Sequence, residues 1–245
     1  MNKYIKAIFK SRPNRFIAEV EVGGEIVIAH VPNTGRCKEL LVEGTTVYLM
    51  PSDNPNRKTK FSLLFVENNG VLVSIHSQEA NKIVYDGILN GKIEELDGYG
   101  LVEREKTVGN SRIDIYLAKK MQENNHNQIN NDHDQTNDCY VEIKGVTLVE
   151  NNIAIFPDAP TERGKKHIDE LIELKEKGHR AVVFFLIQHP NGNSFKPNWK
   201  TDPDFSETLV KAQKSGVEIL VYKSKNSLDG NEIIGKAMEY NLEKY

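Results

Sequence analysis

The chain has 245 residues, 38% hydrophobic and 27% charged, with a formal net charge of −3 that does not advertise nucleic-acid binding. This length supports one large domain or two small ones, each with its own core. Two distant cysteines, Cys37 and Cys139, make no disulfide scaffold; no stretch nears the roughly 20 apolar residues of a membrane span, and the opening residues lack a signal-peptide core, so a soluble, cytoplasmic protein is expected.

Residues 15–75 read as all-β. Phe16 to Val22 roughly alternates apolar and polar residues, Gly23-Gly24 turns the chain, and Glu25 to Val31 returns as a hairpin. Thr45 to Met50 is a further strand closed by Pro51, and Phe61 to Glu67 pairs with Val71 to Ile75 across Asn68-Asn69-Gly70. Five short strands with tight turns suggest a small barrel of the OB kind, occupying 1–78. The pattern then changes. Ala80, Ile83, Val84, Gly87 and Ile88 recur at helical spacing, predicting a helix over 79–90. Strands follow at Leu101–Val108, Ser111–Ala118 (turning at Gly109-Asn110) and Cys139–Leu148. A helix near 164–177 ends at Gly178, Ala181–Ile187 is a strand buried on both faces, and a helix near 203–215 leads to a strand at Val217–Tyr222. This order predicts a mixed α/β domain over 79–245. Its insert, 121–138, is nearly all Asn, Asp, His and Gln from Gln122 on and is expected to be a mobile loop; its His126 and His133 are read as solvated rather than metal-bound.

Local charge is more telling than the average. Residues 1–76 hold ten Lys/Arg against seven Asp/Glu, and Asn54 to Lys60 is a basic run containing Arg57, Lys58 and Lys60. Such a run is either a solvated loop or a phosphate-contacting surface. Pro32-Asn33-Thr34-Gly35 is a turn that is either purely structural or sets Arg36 and Lys38, just after it, as further phosphate contacts. Thr161 to His167 opens a helix whose free N–H groups suit an anion, with Arg163, Lys165, Lys166 and His167 beside it; solvent-facing positions are the alternative. Asp158 either assists a metal or caps a turn, and Gln188 is either a polar neighbour of a site or a strand end.

The chemistry-bearing pattern lies on two strands. In Ser111–Leu117 alternation gives Ile113, Ile115 and Leu117 one face and Asp114 the other; in Tyr140–Gly145 it sends Glu142 and Lys144 to one side. If the strands pair, two carboxylates and an ammonium converge. Mg²⁺ or Mn²⁺ takes one or two carboxylates and keeps waters, and a neighbouring lysine can orient a water or steady phosphate charge. This is the D…(D/E)-x-K arrangement of PD-(D/E)XK nucleases, although a plain Glu142–Lys144 ion pair satisfies the same spacing.

Longer motifs go further. Pro32-Asn33-Thr34-Gly35, Asn81 to Asp86, Ser111 to Asp114, Tyr140 to Leu148 and Phe156 to His167, in that order, resemble the sugar fermentation stimulation protein A family. The resemblance implies an N-terminal OB-like domain, a C-terminal PD-(D/E)XK nuclease-like domain, non-specific DNA binding and a regulatory role in sugar, particularly maltose, metabolism. It also implies Asp114 and Glu142 as metal ligands and Lys144 as the catalytic lysine. Asp86 stands where the family usually has glutamate, as a further catalytic candidate, and Gly145 where serine is common. A DNA-binding regulator with a vestigial metal site, and an RNA- or nucleotide-processing enzyme, are the alternative readings.

Overall fold

The computed structural model describes residues 3–109, 111–119 and 138–244. The 121–138 insert, apart from Asp138, lies outside the described residues with its two histidines, as does Asn110 of the 109–110 turn.

Six strands come first: β1 (Ile5–Asn14), β2 (Ile17–Val22), β3 (Glu25–His30), β4 (Thr46–Pro51), β5 (Phe61–Asn68) and β6 (Val71–Ser74). β3 pairs parallel with β5 through Ala29–Phe61 and His30–Ser62. That contact closes a five-stranded OB barrel in the order β1–β2–β3–β5–β4, with β6 added outside on β5. Gly23 and Gly24, with φ of +61° and +89°, supply the left-handed pair that a two-residue hairpin turn needs. Alternate inward residues (Ala7 and Phe9, Ala18 and Val20, Val47 and Leu49) make the barrel core, with Cys37, Leu40 and Leu41 from the β3–β4 connection. β1 hides from sequence reading because Lys6, Lys10 and Arg12 occupy outward positions and it contains Pro13. The proline lies where register shifts at Phe9/Ser11 and Ser11/Asn14 break the β1–β2 ladder, so no donor is missed.

The second unit starts with α1 (Ser77–Leu89) and a 3-10 turn at Glu94–Leu96. Strands β7 (Leu101–Val108), β8 (Ser111–Ala118), β9 (Cys139–Val146), β10 (Val149–Glu150) and β11 (Ile153–Phe156) follow. Then come α2 (Glu162–Glu176), β12 (Arg180–Ile187), β13 (Ser194–Pro197), α3 (Pro203–Lys214), β14 (Glu218–Lys225) and β15 (Glu232–Ile234). The main sheet runs β15-β14-β12-β9-β8-β7, parallel in its β14-β12-β9 centre; β10, β11 and β13 form a small second sheet. β12 alternates between two cores. Ala181, Val183, Phe185 and Ile187 pack with α2 and α3, whereas Val182, Phe184 and Leu186 pack with α1. Its uninterrupted apolar sequence is what burial on both faces requires.

The helix ends follow local rules. Thr161 caps α2 by accepting from Gly164 N (3.0 Å), and Asp202 caps α3 by accepting from Phe205 N (3.0 Å), with Pro203 next. α2 ends in paired bonds from His179 N to Leu174 O and Gly178 N to Lys175 O, with Gly178 at φ +93°.

One strand departs from simple alternation. Ile113 packs on the α2 side of the sheet, while Ile115 and Leu117 pack on the α1 side, so the three do not share a face. The cause sits between them. Pairing of β7 with β8 skips Glu105 and Asp114, Glu105 has φ of +59°, and pairing of β8 with β9 stops at Ile115–Val141. The strand therefore twists at Asp114.

Candidate active site at the domain junction

The ladder interruption positions Asp114. Continuing the β8–β9 register would set it opposite Glu142, but its Oδ2 instead accepts the Ile143 N–H at 2.8 Å, and its Oδ1 accepts from Asn81 Nδ2 of α1 at 2.7 Å. Glu142 is buried. Its Oε1 accepts from Lys144 Nζ at 2.7 Å and is also bonded by His167 Nδ1 of α2. Arg163 Nε donates to His167 Nε2 at 3.3 Å. Because a guanidinium can only donate, Nε2 is the accepting nitrogen and Nδ1 carries the proton directed at Glu142. Glu142 Oε2 is buried and has no hydrogen-bond partner among the described residues.

The two carboxyls have opposite electrostatics. Burial, then the neighbouring Glu142 charge, pushes Asp114 up to about 6. Burial alone would raise Glu142 as well, but Lys144 and His167 outweigh it and hold Glu142 below its ordinary value. Two crowded carboxyls, one with an unpartnered buried oxygen, fit a hard divalent cation. Among the described residues no three His, Cys, Asp or Glu side chains gather for a metal. The donor set thus suits an ion that keeps water ligands, such as Mg²⁺, rather than one needing a complete protein cage.

A cleft of about 530 Å³ encloses these groups. The sheet contributes Asp114, Glu142 and Lys144, α2 contributes Arg163 and His167, and the barrel contributes Arg15 and the Asn33–Gly35 turn. The barrel turn is held from both sides. Asn33 Oδ1 accepts from Gly35 N (2.7 Å), Asn33 Nδ2 donates to Ile75 O (2.9 Å), and Asp158 Oδ2 accepts from Cys37 N (3.0 Å). Asp158 therefore ties the two domains at the cleft wall. Gln188 makes a second tie, donating from Nε2 to Ser74 Oγ at 3.3 Å.

The other sequence candidates are dispersed. Asp86 does not line the cleft; it pairs with Lys82 on the helix surface. Five helical residues separate it from Asn81, about 140° around the axis, so Asn81 holds the place facing Asp114. Lys165 pairs with Asp169 (2.9 Å) and Lys166 with Glu170 (3.5 Å), outside the cleft lining. Arg57 donates to Ser62 Oγ at 2.9 Å, bracing the β4–β5 connection, while Arg36, Lys38, Lys58 and Lys60 are exposed on the barrel. His167 is engaged with Glu142 rather than standing free for a phosphate. Asn81 and the His167–Glu142 contact carried no sequence signal beyond helical phase. Both cysteines are buried, and burial pushes each thiol up to about 12, so neither is a ready nucleophile.

Gly145 follows Lys144 at a close approach. A Cβ there would lie 2.4 Å from Gln188 Oε1, and Gln188 is itself buried and bonded to the barrel. Gly145→Ala is expected to destabilise the fold by about 1–2 kcal/mol, read as a lowered denaturation midpoint. Gln188→Ala in that background should recover part of the loss if the contact is the cause.

Fold and cleft together define a two-domain protein, an OB barrel joined to a mixed α/β domain. The family model for the sugar fermentation stimulation protein RE domain matches residues 78–230, and that for the SfsA N-terminal OB domain matches 11–75. The chain belongs to the sugar fermentation stimulation protein family. The sugar fermentation stimulation protein homolog of Methanobrevibacter smithii is 63% identical over 241 residues, 98% of this chain and 99% of that one. The homolog of Clostridium perfringens strain SM101 is 48% identical over 229 residues, 94% of each chain. The structure of Pyrococcus furiosus SfsA in complex with Ca²⁺ is similar, with a TM-score of 0.84 and 31% identity, covering 98% of this chain and 97% of that one. Among the described residues no helix is long and apolar enough to cross a membrane.

Proposed function

We propose that this protein is a cytoplasmic, non-specific DNA-binding protein that acts in the regulation of sugar metabolism, including maltose use, and carries a divalent-cation-dependent phosphodiester site. The supporting observation is the convergence of Asp114, Glu142 and Lys144 in a cleft walled by both domains. The relative from Pyrococcus furiosus was solved with Ca²⁺, another hard cation that oxygen donors hold. Asp114 and the free Oε2 of Glu142 would hold Mg²⁺ or Mn²⁺, which supplies Lewis acidity and a more acidic bound water. Asn81 and the Ile143 N–H orient Asp114. His167, steadied by Arg163, orients Glu142. Lys144 lines the same pocket with its ammonium bonded to Glu142 Oε1, and its remaining N–H groups would donate to a phosphate oxygen or orient the attacking water. Arg15 and Arg163 add positive charge along the cleft, and Arg36, Lys38, Lys58 and Lys60 extend it over the barrel.

Supercoiled DNA incubated with Mg²⁺ or Mn²⁺ tests the reading. Nicking or cutting by the native chain and its loss in Lys144→Ala are expected, with duplex binding retained in a gel shift. Binding without cutting in the native chain would leave a regulator whose cation site is vestigial, and absence of binding would end the proposal.

A further inference from the structure

A second cavity, about 790 Å³, adjoins the carboxylate cleft and shares Leu148 and Ile155 with it. Its volume falls within the roughly 300–1,000 Å³ of ligand pockets. It is built around aromatic rings. Phe195 of β13 is buried and stacks on Phe185 of the main core with ring centroids 4.1 Å apart, giving a rigid floor. Tyr240 joins β13 through a bridge to Phe195. Trp199, the sole tryptophan of the chain, lines the cavity from the turn between β13 and α3. The turn is fixed by bonds from Thr201 N and Asp202 N to Asn198 O at 3.0 and 2.9 Å.

The cavity is coupled to the candidate active site. Asn198 donates from N to Phe156 O (2.7 Å) and from Nδ2 to Pro157 O (2.8 Å). The Trp199 turn is therefore bonded to the segment that carries Asp158 into the carboxylate cleft. Two features of the lining describe the chemistry the cavity suits. Trp199 is only partly buried, so its ring offers the cavity an apolar surface on which a flat ring can stack. Lys196 and Lys200 are exposed on the lining, and the Lys244 ammonium lies 5.3 Å from the centre of the indole ring. Glu150, Glu239 and Glu243 line the cavity too, so an anionic group is accommodated only beside the lysines; a flat aromatic ring with its phosphates held at Lys196, Lys200 and Lys244 satisfies these features.

The geometry points to a nucleobase subsite. A single DNA strand whose phosphate lies at Asp114, Glu142 and Lys144 runs over Leu148 and Ile155 and stacks a neighbouring base on Trp199, displacing the Lys244 ammonium toward the strand's phosphates. This rests on the nucleic-acid reading above. A base within a duplex is already stacked on its neighbours, so the subsite selects single-stranded or frayed DNA. Stacking is tolerant of base identity because every base has a π-face.

Because Trp199 is the only tryptophan, its emission reports the subsite directly. The native chain, in chelator to prevent cutting, is titrated with an oligodeoxyadenylate of about 12 nucleotides, within the footprint range of single-strand binders. Saturable quenching is expected. Trp199→Ala should weaken single-strand binding between about fivefold and about 150-fold, Trp199→Phe by no more than about threefold, and neither should change duplex binding in a gel shift. The emission titration uses the native chain and so stands whatever becomes of the variants. Unchanged emission while a gel shift shows the oligonucleotide bound overturns the subsite and leaves DNA binding intact. Failure to bind any nucleic acid overturns both readings. Quenching by deoxyadenosine monophosphate as tight as by the oligonucleotide overturns the strand path.

Discussion

Asp114→Asn is expected to raise the thermal stability of the metal-free protein at pH 8 and to abolish the stabilisation that Mg²⁺, Mn²⁺ or Ca²⁺ confers on the native chain. Burial and the nearby Glu142 charge lift Asp114 from 3.8 to about 6. A carboxyl whose folded value is raised destabilises the fold only when it is ionised. The cost is absent below about pH 4, grows between pH 4 and 6 and is complete above about pH 7. At 1.36 kcal/mol per unit, and discounted because Asp114 is partly exposed, it is of order 1–3 kcal/mol. At roughly 2–4 °C per kcal/mol for a chain of this size, removing it should raise the midpoint by several degrees. The substitution is sterically mild. The oxygen of the introduced amide can still accept from Ile143 N, and the Asn81 amide can turn to receive the new NH₂.

The cation arm of the same experiment has its own pH signature. Binding a cation at Asp114 displaces its proton, so the added stability should be small at pH 5 and near its full size at pH 7.5. A cation held at a hundred times its dissociation constant adds about 2.7 kcal/mol. Differential scanning calorimetry with and without cation across that pH range measures both effects. A cation shift that persists in Asp114→Asn, or that does not change between pH 5 and 7.5, would remove Asp114 from the site.

What the sequence disclosed and what it withheld divide along physical lines. Short-range rules were readable: the Gly23-Gly24 turn, the Gly178 helix end and the two-faced β12 run each depend on residues a few positions apart. Alternation within β9 put Glu142 and Lys144 on one side, and they are bonded in the folded chain. Contacts between elements were not readable. His167 looked like a basic helix-start residue because nothing local shows that α2 packs its first turn over Glu142. Asp86 looked like the acidic member of α1 because composition marks it, whereas helical phase gives the position to Asn81. Strict alternation also misplaced Ile113, because the departure from it is created by Glu105 on the neighbouring strand. The extra strands β10, β11 and β13, which carry the wall between the two cavities, are too short for any periodicity to reveal.

Glu142→Gln should act in the opposite direction, destabilising the metal-free protein at pH 8 by about 2–4 kcal/mol. Glu142 is 3% exposed in its side chain and is the acceptor for Lys144, 12% exposed, and for His167, 13% exposed. Breaking a buried ion pair by neutralising one member costs roughly 3–5 kcal/mol. Two things reduce that here: the glutamine oxygen keeps one hydrogen bond, and loss of the Glu142 charge relieves Asp114. The pH dependence carries the sign. Lys144 and His167 overcome the effect of burial and hold Glu142 below its ordinary 4.5. Its contribution is therefore present above that value and is lost as pH falls through the lower folded value. The stability gap between native and Glu142→Gln should be widest above about pH 5 and narrow in acid, measured by urea denaturation at each pH. The Asp114→Asn gap has the reverse sign, opening as Asp114 ionises. Two carboxyls at one cleft have opposite consequences because Lys144 and His167 bond to Glu142, whereas at Asp114 the opposing pull of Lys144 is outweighed by burial and the Glu142 charge. If both variants moved stability the same way, that allocation of charge would be wrong.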